Sequence, residues 1–154
     1  MISASRLNAI LEELNNAVQG IKSHRWVVDQ EHFAKLVDDM YSDDFPCVLG
    51  VLPDADMTSR SLDNQKFNNK LLFFFVKKVD QKERDSKLTT EVYDETLSLV
   101  NAFLSHVYSS SSSSPCNLLS KIEWSTLDIK PEYNFASCDG YSISFNLETK
   151  KLES

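Results

Sequence analysis

The sequence predicts an α+β domain, a mostly antiparallel sheet of about four strands with two or three helices packed on it. Three observations lead there. Two segments repeat apolar residues at helical spacing, and the last segment alternates them at strand spacing. Between the two helical segments stands KLLFFFVKK, Lys70–Lys78, which is apolar on both faces. No strand–helix–strand rhythm recurs often enough for a doubly wound sheet. The 154 residues fit one domain, 1–154.

Along the chain, Leu7, Ile10, Leu11, Leu14, Val18 and Ile21 draw one apolar helical stripe. Ser3 or Ser5 caps its start, and Gly20 falls where it ends. HRWVVD then predicts a brief extended piece. A second, shorter helix spans Gln30 to Tyr41, with Asp29 as cap and Phe33, Leu36, Val37, Met40 and Tyr41 on one face. Asp43, Asp44 and Pro46 stop that pattern, because the residue before proline avoids the α region. CVLGVL reads as a strand closed by Pro53-Asp54. The Ser, Asn and Asp content of Met57 to Asn69 predicts a long, exposed, flexible loop.

KLLFFFVKKVD reads as a central strand. Leu72, Phe74 and Val76 are expected to pack on the long helix that follows. Leu71, Phe73 and Phe75 are then left for the short helix or a neighbouring subunit to hide, which makes them candidate interface residues. QKERDSK, 81–87, is charged and solvated. Thr89 or Thr90 caps the long helix, which runs to Tyr108. Its stripe is Val92, Thr96, Leu99, Val100, Phe103 and Val107, widened by Leu97, Leu104 and Tyr108. The serine run before Pro115 cannot bury apolar area to offset ordering entropy, so 109–115 is expected to be a flexible loop.

The last quarter is β. Ile122, Trp124 and Thr126 alternate in SKIEWSTLDI, and Asp139-Gly140 signals a turn. In YSISFNLE, Tyr141, Ile143, Phe145 and Leu147 face one way; Ser142, Ser144, Asn146 and Glu148 face the other. That strand is half-buried with a wet face. The tail, 149–154, is expected to fray.

The residues offer little catalytic chemistry. His24, His32 and His106 stand in no nucleophile motif, and GxSxG is absent. Glycines at 20, 50 and 140 cannot build a phosphate loop. Cys47, Cys116 and Cys138 form no CxxC and no Cys/His pair at zinc spacing, which implies reduced thiols. Asp38, Asp39, Asp43 and Asp44 cluster without the order of a calcium loop. They read as a solvated patch, with a cation at a subunit contact as the other use. Asp54 and Asp56 read as a turn, and Trp26 and Trp124 as core or rim residues. A net charge of −7 argues against wrapping nucleic acid, though it suits a surface past which DNA slides. The N-terminal segment has the pattern of neither a signal peptide nor an anchor, and no apolar run approaches the roughly 20 residues of a bilayer span. The expectation is a non-enzyme with no cofactor, no metal and no membrane contact.

The helix before FPCVLGVLPD and KLLFFFVKKVD, the long helix after them, and the Asp139-Gly140-Tyr141 step into a strand ending at Leu147 make a pattern. It resembles the tail-terminator, tail-completion and head–tail connector ring proteins of tailed bacteriophages. The resemblance covers most of the chain and implies a virion structural protein, assembled in the host cytoplasm. Such proteins form rings, usually hexameric, that stop tail-tube growth and join tail to head. The partners implied are copies of itself and neighbouring connector or tail-tube proteins, with DNA only passing through the lumen. The serine run and the 57–69 segment depart from that layout and read as peripheral contacts or insertions. The alternative is a small intracellular adaptor that docks a partner protein on its sheet or long helix.

Overall fold

In a computed structural model, which describes residues 1–59, 61 and 64–150, the first stripe forms α1 (Ala4–Ala17). Ser3 caps it, its hydroxyl accepting the Arg6 N–H at 3.1 Å. Leu7, Ile10, Leu11 and Leu14 are its buried face. Val18 and Ile21 enter the core from the turn that follows, where Gly20 takes φ 104°. The extended piece is β1 (Ser23–Val27). α2 (Gln30–Asp38) is capped by Asp29, whose carboxylate accepts the His32 N–H at 2.8 Å. Of its expected face Phe33, Val37 and Met40 are buried and Leu36 packs beside them, whereas Tyr41, beyond the helix end, is 79% exposed.

A 3-10 turn, Ser42–Asp44, and a cis Phe45–Pro46 peptide lead into β2 (Cys47–Met57). β2 continues past Pro53-Asp54. A bulge between Val51 and Asp54 accommodates the proline, and pairing resumes from Asp54↔Lys70 to Met57↔Phe67. The loop expected over 57–69 is therefore shorter, because β3 (Phe67–Lys78) already begins at Phe67. Arg60, Leu62 and Asp63 lie outside the described residues. Asn69 is buried, its amide donating to the Leu147 carbonyl at 2.9 Å and to Thr149 Oγ1 at 3.1 Å.

α3 (Ser86–Ser109) starts earlier than Thr89, because Asp85 accepts the Leu88 N–H at 2.7 Å and aspartate caps better than threonine. Its buried stripe is the expected one, Val92, Thr96, Leu99, Val100, Phe103 and Val107. Leu97 and Tyr108 turn outward instead of widening it. The serine run is fastened by its own hydroxyls, Ser110 donating to the Val107 carbonyl and Ser114 to Glu13. A 3-10 segment, Pro115–Lys121, follows and buries Cys116, Leu118 and Leu119.

β4 (Glu123–Phe135) and β5 (Cys138–Thr149) complete the sheet. Asp139-Gly140 is not the turn between them. Both residues sit inside β5, paired with Lys77 and Val76. The turn uses Asn134, Ala136 and Ser137, at φ 51°, 50° and 66°. Beyond Gly140 the apolar face holds, with Ile143, Phe145 and Leu147 buried, but the opposite face is less wet than expected. Glu148 is exposed, Ser144 and Asn146 are half-buried, and Ser142 is buried, its hydroxyl donating to Glu132 Oε1 at 2.7 Å. Thr149, expected to fray, is buried on β5; residues 151–154 lie outside the described residues.

Among the described residues, five strands run in the order β1-β2-β3-β5-β4. β1 lies parallel to β2 and every other pairing is antiparallel. β3 is central, and both its faces are covered within the chain. α1, α3 and the Pro115–Lys121 segment cover Leu71, Phe73 and Phe75 together with Val48, Ile143 and Phe145. The Phe103 ring lies 5.5 Å from Phe73 and 5.4 Å from Phe75. Gly50 permits the close approach of α1 on the same face, since a Cβ there would stand 3.0 Å from Leu7 Cδ1. α2 covers the other face, Phe33 meeting Phe74 at 5.1 Å above Leu49, Val76 and Cys138. The helices thus cover the strand the opposite way round from expectation. Alternation tells which residues share a face, but not which helix lies over it.

Candidate functional site

Glu13 of α1, His106 of α3, and Ser114 and Cys116 at the start of the 3-10 segment converge. Glu13 is 93 positions from His106 and 103 from Cys116. Each helical member stands at the margin of its apolar stripe, Glu13 beside Leu14 and His106 beside Val107. Packing α1 against α3 over the sheet therefore brings these margins together. Glu13 Oε1 lies 3.0 Å from His106 Nε2 and accepts the Ser114 hydroxyl. Glu13 Oε2 accepts the Cys116 N–H at 2.8 Å. Burial works to raise the Glu13 carboxyl, but the donors Ser114, the Cys116 amide and His106 outweigh it and hold it at about 2.

The Cys116 thiol is wholly buried and donates to the Ile10 carbonyl at 3.7 Å. Burial first, then the neighbouring Glu13 carboxylate, push the thiol well above its ordinary range. A free thiol in that setting is not a nucleophile at neutral pH. The cluster acts as a fastening that ties the serine connection to the first helix. Local spacing could not disclose it. Its signal was polar residues flanking two helical stripes, with a Pro-Cys step after the serines.

The acidic residues are gathered around the end of α2. Asp38, Asp39 and Asp43 are exposed, whereas Asp44 is half-buried and accepts the Tyr41 N–H at 2.9 Å. They do not converge as metal donors; among the described residues, only Glu13, His106 and Cys116 bring three such groups together. Asp56 pairs with Lys70 across the β2–β3 hairpin at 3.3 Å. His32 is occupied at the α2 start, where its Nδ1 accepts the Val28 N–H at 3.1 Å. Burial, then Arg25, lower the pKa of His24. Cys47 and Cys138 are buried thiols, pushed up by burial to about 11 and about 12.

One prediction of site residues is corrected. Leu71, Phe73 and Phe75 are 1%, 0% and 0% exposed, so they lie in the chain's own core and present nothing to a neighbouring subunit. Apolar surface is found instead on the edge strand β4, where Trp124, Ile129 and Tyr133 are 45%, 38% and 67% exposed. Trp124 is thus a rim residue. Trp26 is half-buried, edge-on to His32 at 6.3 Å. Among the described residues, no helix is long and apolar enough to cross a membrane.

Fold and surfaces together define an α+β domain whose central strand is covered on both faces and whose outer strand carries exposed aromatic residues. Compared with models of known families and with curated proteins, the chain matches none.

Proposed function

We propose that the protein is a non-enzymatic ring subunit of a tailed-phage virion, placed at the head–tail connection or the tail terminus. The observation that carries this reading is the pair of unlike sheet edges. β1 closes one side as a short parallel strand, and β4 closes the other with Trp124, Ile129 and Tyr133 on view. A contact between two different patches is heterologous, and copies joined that way close into rings when the rotation permits. Backbone pairing alone is not the expected glue. β4 is interrupted by register shifts and carries Pro131 and a Lys130–Asp128 pair, which are devices that discourage strand addition. The aromatic side chains of β4, docking beside β1 of the next copy, suit the contact better. The Asp38, Asp39, Asp43 and Asp44 patch is then available to a lumen through which DNA passes without sticking.

Native mass spectrometry and electron microscopy of the chain, alone and with a phage tail-tube protein, test the proposal. Closed rings at multiples of 17.5 kDa are expected, with Trp124→Glu and Tyr133→Glu returning the chain to monomers. Persistent monomers in both settings would overturn the ring. Genes for portal, capsid and tail-tube proteins are the expected neighbours. Reversing the charge of the four aspartates tests the lumen assignment separately: unchanged assembly and infectivity would reduce the patch to solvation.

A further inference from the structure

We propose that Glu13, His106 and Cys116 form a zinc site that staples α1, α3 and the Pro115–Lys121 segment together. The inference is independent of the ring reading. Sequence spacing predicts no metal, because the donors come from three separate elements and only the packed fold assembles them.

The geometry is near what zinc requires. One carboxylate oxygen, one imidazole nitrogen and one sulfur all lie within 4.8 Å of one another. Zinc bonds of about 2.0–2.2 Å to oxygen and nitrogen and about 2.3 Å to sulfur place tetrahedral donors roughly 3.3–3.8 Å apart. Glu13 Oε1 and His106 Nε2 already stand 3.0 Å apart, so closure asks for side-chain adjustment of an ångström or so rather than a new backbone. Access exists as well. Glu13 and His106 line a surface depression with Ala9, Glu12, Asn16 and Pro115, while Cys116 sits buried behind them. An ion entering there meets oxygen and nitrogen first and sulfur last. Glu13 Oε2 keeps the Cys116 N–H throughout, which holds the carboxylate in orientation as an outer-shell bond does for a metal ligand.

The donor set selects the ion. Thiolate and imidazole favour zinc over magnesium or calcium, which take oxygen. Binding balances simply. The Cys116 S–H bond breaks, its proton leaves to solvent, and the sulfur's electron pair goes to the metal. The His106 ring, which donates its Nε2–H to Glu13 before the ion binds, releases that proton to solvent and takes one from solvent on Nδ1. The neutral ring thus gives its Nε2 lone pair to the metal, and the net proton released is the thiol's. No electron transfer is involved. Three protein ligands leave a fourth position on the depression side for water or the Ser114 hydroxyl, which already reaches Glu13.

The test uses the full chain, stripped with chelator and dialysed, then titrated with Zn²⁺ by calorimetry and with Co²⁺ by absorption. One ion per chain is expected, with a dissociation constant on the order of micromolar or tighter. The cobalt form should show a thiolate-to-metal charge-transfer band and tetrahedral ligand-field bands. Cys116→Ser should abolish the charge-transfer band. Should that core variant fail to fold, His106→Gln decides, since His106 is partly exposed. It should weaken zinc about a hundredfold while leaving the metal-free circular dichroism unchanged. Absence of stoichiometric binding, a cobalt spectrum without the thiolate band, or undiminished affinity in His106→Gln would each overturn the proposal.

Discussion

Arg84 and Asp139 meet at 2.7 Å, with the Asp139 carboxylate wholly out of contact with solvent. The guanidinium carbon also lies 4.2 Å from the centre of the Tyr133 ring. The contact is one of charge rather than a linear hydrogen bond, since no Arg84 nitrogen meets hydrogen-bond geometry with any of the described residues. Asp139 Oδ1 meanwhile accepts the Asn134 N–H at 2.8 Å, so the same carboxylate fixes the β4–β5 turn. Arg84→Ala should cost about 3–5 kcal/mol, because it strands a buried negative charge. Adding Asp139→Asn should restore much of the loss, since the amide oxygen still serves Asn134 and carries no charge. Urea unfolding of the single and double variants measures the coupling.

The core assignment of Phe73 makes a second prediction. Phe73→Ala should destabilise the chain by about 3–5 kcal/mol, and Leu71→Ala by about 2–5 kcal/mol. Neither loss should depend on protein concentration, as the loss of a subunit contact would. Denaturation midpoints at two widely separated concentrations distinguish these cases; a midpoint that moves with concentration would return the two residues to an interface.

Glu13 predicts an acid limb to stability. Its folded pKa lies at about 2 against an ordinary 4.5, so the native state binds the proton less readily than the unfolded chain. The stabilisation is therefore complete above about pH 4.5 and fades as pH falls toward about 2. It amounts to roughly 3 kcal/mol before solvent screening at this partly exposed group reduces it. Glu13→Gln should be less stable than the parent at neutral pH, and the gap should close across that window. A gap that stays constant with pH would show that the carboxylate's charge is not the source.

Gly140 is held by backbone rather than by a flexible neighbour. A Cβ there would stand 2.1 Å from the Phe75 carbonyl oxygen, at φ 154°. Gly140→Ala should cost about 3 kcal/mol or more, because strands β3 and β5 must part to admit the methyl group. Gly20→Ala, at φ 104° with only the end of the Leu99 side chain 3.3 Å away, should cost about 1–2 kcal/mol. Thermal melts of the pair rank the two sites.

Much of the architecture was legible because it rests on local patterns. The stripes of α1 and α3, the Asp29 cap and the alternation from Ile143 to Leu147 are properties of neighbouring residues. The misreadings fall where a distant partner decides. Asp139-Gly140 looks like a turn until Arg84 and the Phe75 backbone are set beside it. Asn69 looks exposed until Leu147 and Thr149 offer it acceptors. Leu71, Phe73 and Phe75 look unclaimed until α3 brings Phe103 over them. The Glu13 cluster needed both helices placed at once, which no spacing rule provides.

The central place of β3 also governs the order in which the chain becomes safe from its own stickiness. Asn69 and its rung partner Leu147 lie 78 positions apart, so a ribosome must deliver β5 long after β3 has emerged. Until then β3 can pair only with β2, and its other edge stays open with Phe73, Phe74 and Phe75 beside it. A nascent chain halted anywhere between them would display an unpaired aromatic strand, the form most prone to misassembly with its neighbours on the same message. Escorting that interval, rather than stabilising the finished fold, is where a cellular chaperone would matter to this protein.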